Sequence, residues 1–135
     1  MLIVDANVLL DIVSNDANWA DWSARQLRHQ SQVHELVINA VVYTELSMAF
    51  ADLGDVDCVV DEMRLNFAEI PKPALFLAGK AFLRYRRAGG PRTSVLPDFF
   101  IGAHAAIAGC AILTRDERRY RAYYPRVPLI IPTLQ

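Results

Sequence analysis

Long apolar runs, cysteine and glycine-rich loops are all scarce in this 135-residue sequence, and each scarcity excludes something. Stretches free of charge, such as Phe99 to Thr114, contain Gly and His and stop short of the ~20 apolar residues a membrane span needs. The apolar opening Met1–Val4 is broken at once by Asp5, which is not the pattern of a secretory leader. Two cysteines, Cys58 and Cys110, make no disulfide scaffold, and as isolated residues on apolar stretches they are expected to be core thiols of a reduced, cytoplasmic protein. Gly89-Gly90 lacks the Lys-Ser/Thr of a phosphate-binding loop. His29, His34 and His104 have no partner at zinc-ligand spacing, and Ser14, Ser23 and Ser94 sit in no nucleophile elbow.

What is present is the material of a folded core: 53% of residues are hydrophobic and 21% charged, which rules out disorder. Neither repeat nor low-complexity linker interrupts the chain, so residues 1–135 are expected to form one domain. The formal net charge of −1 averages two unlike halves. Residues 1–69 carry twelve acids and three bases, a net of −9, whereas residues 70–135 carry three acids and eleven bases, a net of +8. Such asymmetry suits either two ordinary solvated faces or a nucleic-acid contact on the basic half.

Leu2-Ile3-Val4 reads as a strand buried on both faces, and Glu35–Ile38 as a second. Asn15 and Asp16 precede a helical stretch, Trp19–Gln30, and Asn39 caps a helix that Gly54 is expected to stop. Asp55 then caps a helix with a Val56–Val59–Val60–Met63–Phe67 stripe, which could form part of a partner groove. A short strand around Ala68–Ile70 follows, then a helix from Pro73 to about Arg87, a loop from Arg92, and a helix from Pro97 to about Ala108. Cys110–Leu113 is a buried strand, Glu117–Tyr123 a short helix and Leu129–Ile131 a last strand. This alternation implies right-handed crossovers and an α/β fold, a short, mainly parallel sheet with helices on both faces.

In such sheets ligands bind beyond the carboxyl ends of the strands. Asp5 and Asp116 lie at two of these ends, Asp98 in the opening turn of a helix, and Glu45 within the helix that Asn39 caps. Carboxylates crowded at one edge raise one another's pKa, and a hard cation with oxygen ligands, Mg²⁺ or Mn²⁺, relieves the repulsion. Asn7 and Thr114 stand beside two of the acids as hydrogen-bonding supports. Each acid alone is most simply a cap or turn residue; the set of four on one topology is what points to a metal-dependent phosphodiesterase site.

With those residues in view, the sequence resembles the PIN-domain family, specifically the toxin ribonucleases of VapBC-type toxin–antitoxin pairs. The resemblance runs from the opening MLIVDANVLLDI through VYTEL and LPDFFIGAHA to ILTRDERRY and YYPRVPLIIP. It implies a three-layer α/β/α sandwich whose acidic cluster falls on Asp5, Glu45, Asp98 and Asp116, with Asp5 and Asp98 as direct ligands of Mg²⁺ or Mn²⁺. It further implies an endoribonuclease that cuts structured RNA (tRNA or rRNA) by metal-activated water, leaving a 5′-phosphate and a 3′-hydroxyl. A homodimer and a small VapB-like antitoxin are implied partners. Ala6 stands where many relatives have Thr or Ser, and Tyr120 takes the place of a Phe that follows the last acid.

Beside such a site, Arg84, Arg86, Arg87 and Arg92, and Arg115, Arg118 and Arg119, become candidate phosphate contacts. Tyr85, Tyr120, Tyr123 and Tyr124 are available either to stack on unpaired bases or to pack internally. His104, six residues after Asp98, faces away from it and is expected in the core. The main alternative is a catalytically weak PIN module that binds RNA or protein without cleavage; a phosphatase-like use of Asp5 is disfavoured because residue 7 is Asn.

Overall fold

Leu2–Val4 forms β1, and its three side chains are wholly buried, as a strand with both faces covered requires. The computed structural model describes residues 1–91 and 96–133. In chain order β1 is followed by α1 (Ala6–Val13), α2 (Ala20–Ser31), β2 (Leu36–Ile38), α3 (Ala40–Ser47), α4 (Leu53–Glu62) and β3 (Asn66–Phe67). The second half adds α5 (Lys72–Arg87), α6 (Leu96–Ala108), β4 (Ala111–Leu113), α7 (Arg118–Tyr123) and β5 (Leu129–Ile130). The strands form one sheet in the order β3-β2-β1-β4-β5, every pair parallel, with Ile3 opposite Val37 on one side and Ile112 on the other.

The chain steps outward from β1 through β2 to β3, then crosses back to place β4 on the free side of β1. The direction of winding therefore reverses between β1 and β4, and right-handed crossovers send the helices to both faces, an α/β/α sandwich. A crevice opens at such a reversal, beyond the carboxyl ends of β1 and β4, where Asp5 and Thr114 follow directly.

Local chemistry accounts for most boundaries. Asp5 caps α1 by accepting from the Ala6 N–H at 2.8 Å, and Asn39 caps α3 by accepting from the Val41 and Val42 N–H groups. The Nδ2 of Asn39 also meets Nδ1 of buried His104 at 3.0 Å, so His104 sits in the core as its helical position implied. Several expectations are corrected. Residues 6–13, given no element from the sequence, form α1. The helix after Asn39 stops at Ser47, well before Gly54. There the N–H groups of Met48, Ala49 and Phe50 bond three residues back rather than four, which tightens and ends the helix. The next helix starts after Asp52, not Asp55, and Phe67 belongs to β3 at the sheet edge, 59% exposed. Cys110 is buried as expected, but Cys58 is exposed on α4.

Gly102 on α6 lies against Tyr124 at the end of α7. A Cβ there would fall 2.2 Å from the ring of Tyr124, whose hydroxyl is held by the Phe99 carbonyl at 2.7 Å. Gly102→Ala is therefore expected to lower stability in urea by about 1–3 kcal/mol, despite the ~1 kcal/mol that Ala ordinarily gains over Gly in a helix. An unchanged unfolding midpoint would mean that the Tyr124 ring swings aside freely.

Candidate active site

Asp5 is the centre of the crevice because three separate segments converge on its carboxylate. Oδ1 accepts the capping N–H of Ala6; Oδ2 accepts the Thr114 hydroxyl and the Tyr120 hydroxyl, both at 2.8 Å, with the Asn7 amide farther off at 3.4 Å. Burial pushes the Asp5 carboxyl above the usual carboxylate range, and the three short hydrogen bonds oppose that rise. Thr114 Oγ1 in turn accepts from the Asn7 amide at 3.2 Å and from the Asp116 N–H at 3.1 Å, which ties the β4–α7 turn to the start of α1.

Asp98 lies in the first turn of α6 and is partly buried. Burial and the nearby Asp5 raise its pKa to about 6, while Arg119, whose Nη1 donates to Asp98 Oδ2 at 3.1 Å, pulls it down. Among the described residues, no cation pairs with Glu45 on α3. Burial first, then Asp5 and Asp98, push it to about 7. The mutual repulsion shows that Asp5, Glu45 and Asp98 share one electrostatic neighbourhood, drawn from β1, α3 and α6. Asp116 is exposed at its rim, where its Oδ1 caps the Arg118 N–H at 3.2 Å and its charge raises the pKa of Asp5 and Asp98.

Among the described residues, no three carboxylate, imidazole or thiol side chains are drawn together tightly enough to enclose an ion as they stand. A hard cation that keeps several waters does not demand a closed cage. The donor set itself is oxygen throughout, which suits Mg²⁺ or Mn²⁺ and no soft metal.

The arginines divide into two groups. Arg84, Arg86 and Arg87 are exposed in the last turn of α5, and Arg118 is exposed on α7. Arg119 and Arg115 are engaged within the protein, Arg119 with Asp98 and Arg115 with buried Asp11. Arg92 lies outside the described residues. Of the four tyrosines open to stacking or packing, Tyr120 and Tyr124 pack internally, 1% and 6% exposed, each with its hydroxyl bonded inside the protein. Tyr85 and Tyr123 are half-buried in a cluster with Phe82 and Phe99. The Tyr120 contact to Asp5 was foreshadowed in the sequence only by an aromatic four residues after Asp116; the Asp11–Arg115 pair had no linear signal.

A sequence profile described as the PIN domain matches residues 2–124. No curated protein matches the sequence. Among solved structures the fold is similar to a chain of VapBC2 from Rickettsia felis bound to a promoter DNA fragment, at TM-score 0.74 and 14% identity over 98% of each chain. It is also similar to DNA-bound VapBC from Salmonella typhimurium, at TM-score 0.70 and 19% identity over 96% of each chain. VapBC-1 from nontypeable Haemophilus influenzae gives 0.71 and 14% over 96% of each chain.

Proposed function

Because this chain belongs to the PIN domain family, we propose that it is a Mg²⁺- or Mn²⁺-dependent endoribonuclease, the toxin of a VapBC-type toxin–antitoxin pair acting on a structured RNA such as tRNA or rRNA in the cytoplasm. The observation that carries this reading is the gathering of Asp5, Glu45 and Asp98 around the crevice between β1 and β4, where burial raises all three pKa values and the nearby Asp5 adds to the rise of Glu45 and Asp98. A carboxylate cluster kept in that state is a poor structural device and a good cation trap.

Asp5 and Asp98 would hold the ion directly, with Glu45 and Asp116 completing the shell. Bound there, a divalent ion supplies positive charge to the phosphoryl centre and acidifies water. The protein's own part is orientation. Thr114 and Tyr120 fix the plane of the Asp5 carboxylate, and Arg119 steadies Asp98. Glu45, with a pKa of about 7, changes protonation near neutral pH. Arg84, Arg86, Arg87 and Arg118, exposed on the basic half, would contact phosphates without reading sequence.

The chain also has surfaces for partners. A groove of about 600 Å³ runs between α1, α2 and α4, lined by Ile12, Leu27 and Met63 with Arg28, Arg64 and Glu62 among them. Its apolar lining suits an antitoxin segment that presents apolar side chains. Leu75, Phe76 and Leu83 leave an apolar strip on α5 that favours self-association. No helix among the described residues is long and apolar enough to cross a membrane.

Incubating the purified chain with a tRNA and rRNA mixture, in Mn²⁺ or in chelator, tests the reading. Discrete fragments bearing 5′-phosphates are expected in Mn²⁺ and none in chelator. RNA that is bound but uncut in both conditions overturns the nuclease assignment in favour of a binding module.

A further inference from the structure

We propose that Asp11 and Arg115 are a positioning pair, an interior clamp that locks the Thr114–Arg115–Asp116 turn onto α1 and so sets the geometry of the acidic cluster for its divalent ion. This inference rests on the metal-nuclease reading above. Asp11 is 3% exposed on α1, an expensive place for a carboxylate unless it is fully matched. It is fully matched: Arg115 Nε donates to Oδ2 at 2.7 Å, Arg115 Nη2 to Oδ1 at 2.9 Å, and the Ser23 hydroxyl of α2 to Oδ2 at 2.9 Å. The fork geometry fixes the plane of the guanidinium, and its carbon lies 5.5 Å from the Trp19 ring centroid.

Arg115 stands between the two residues of that turn that belong to the site. Thr114 donates to Asp5 Oδ2, and Asp116 is held at the rim by its N–H on Thr114 Oγ1. The backbone N–H of Arg115 itself donates to Asn7 Oδ1 at 3.3 Å, while the Asn7 amide bonds Thr114. The turn is therefore fastened to α1 twice, near its start through Asn7 and a turn later through Asp11. Two residues 104 positions apart in sequence are joined where a drift of the turn would misplace both Thr114 and Asp116.

An arginine beside a phosphodiesterase centre is ordinarily read as a substrate contact. Here Nε and Nη2 are already committed to Asp11. Arg115 acts through the turn and not on RNA, and Asp11, walled off from solvent, acts only through Arg115.

Asp11→Asn, Arg115→Lys and the milder Ser23→Ala separate these roles. Mn²⁺ affinity is measured by calorimetry on the chain without RNA, followed by kcat and KM for RNA cleavage and by thermal melting. Asp11→Asn and Arg115→Lys are expected to weaken Mn²⁺ binding about tenfold and to lower kcat by a similar factor, with KM within about twofold and the double variant no worse than either single. Ser23→Ala, which keeps the ion pair, serves if Asp11→Asn fails to fold and is expected to weaken Mn²⁺ binding about two- to threefold. Unchanged Mn²⁺ affinity in the folded variants overturns the clamp. A raised KM confined to Arg115→Lys overturns it in favour of an RNA contact. A wild-type chain that binds Mn²⁺ but cuts no RNA overturns the nuclease reading alone, because the Mn²⁺ comparison among variants still stands. One that binds no Mn²⁺ overturns both.

Discussion

Replacing Asp98 by Asn is expected to reduce RNA cleavage about a thousandfold while leaving the chain folded and, without divalent ion near pH 8, at least as stable as the wild type. The two halves of that expectation have one cause. Asp98 is partly buried near Asp5, so its charge is disfavoured by desolvation and by repulsion, and Arg119 and the start of α6 compensate in part. Asn keeps an oxygen for Arg119 and removes the repulsion, which also relieves Glu45, since the Asp98 charge is among the causes of its raised pKa. Catalysis suffers because the lost charge is the one that would hold the ion; removing a single group that stabilises transition-state charge typically costs about 10²–10³-fold. Single-turnover cleavage of end-labelled RNA in Mn²⁺ gives the first half, and thermal melting in chelator the second. Cleavage at the parental rate would falsify the assignment. A melting point far below wild type in chelator would instead make Asp98 a structural residue, and its loss of activity would carry no chemical meaning.

Much of this site could be read from the sequence because its parts sit at positions that local rules define. Asp5 and Thr114 close strands whose apolar runs are unmistakable, Asp98 follows a helix-opening proline, and Glu45 lies in a helix that begins at an asparagine cap. Topology then brings strand ends together, so residues at those ends share an edge without any knowledge of side-chain contacts. The failures have the same logic in reverse. Residues 6–13 give a weak helix signal because the apolar run of β1 resumes at Val8 after one break, and the cap that separates strand from helix is Asp5 itself. The end of α3 was placed too late because Ala49 and Phe50 continue the apolar spacing; a shift from four- to three-residue hydrogen bonds leaves no mark on that spacing.

The long-range polar contacts were beyond local rules altogether. Tyr120 reaches Asp5 across 115 positions and Arg115 reaches Asp11 across 104, and periodicity describes the faces of one element, not which loops meet. Their effect on the reading is substantial. Two arginines that the sequence offers to an RNA path, Arg115 and Arg119, are bound to carboxylates, and of the four tyrosines open to stacking or packing, two are interior. The opposite charges of the two halves of the chain are thus partly spent on each other. Asp11 from the acidic half pairs with Arg115 from the basic half at the edge of the crevice, whereas Arg84, Arg86, Arg87 and Arg118 stand exposed on α5 and α7.

Without divalent ion, the protein is expected to lose stability as pH rises from about 4 to about 8, and Mn²⁺ is expected to restore it most at the alkaline end. Glu45 moves from its ordinary 4.5 to about 7 and Asp98 from 3.8 to about 6, so both bind protons more tightly folded than unfolded. A carboxyl with a raised folded pKa contributes stability that is complete below its unfolded pKa and is lost as pH climbs through the folded value. The window is therefore about 4 to 6 for Asp98 and about 4.5 to 7 for Glu45, and Asp5 acts in the same direction. Both side chains reach solvent, so after discounting for screening each contributes about 1–2 kcal/mol. A divalent ion binds only the ionised carboxylates, which reverses the slope: at a hundredfold excess over Kd it adds about 2.7 kcal/mol where they are ionised and little at pH 5, where protons compete. Urea unfolding at pH 5, 6, 7 and 8, in chelator and in Mn²⁺, reads both effects. A metal-free stability that stays flat or rises across this window would mean that the three carboxylates do not burden one another. An equal gain from Mn²⁺ at pH 5 and pH 8 would place the ion elsewhere on the protein, since no other arrangement of these acids escapes competition with protons.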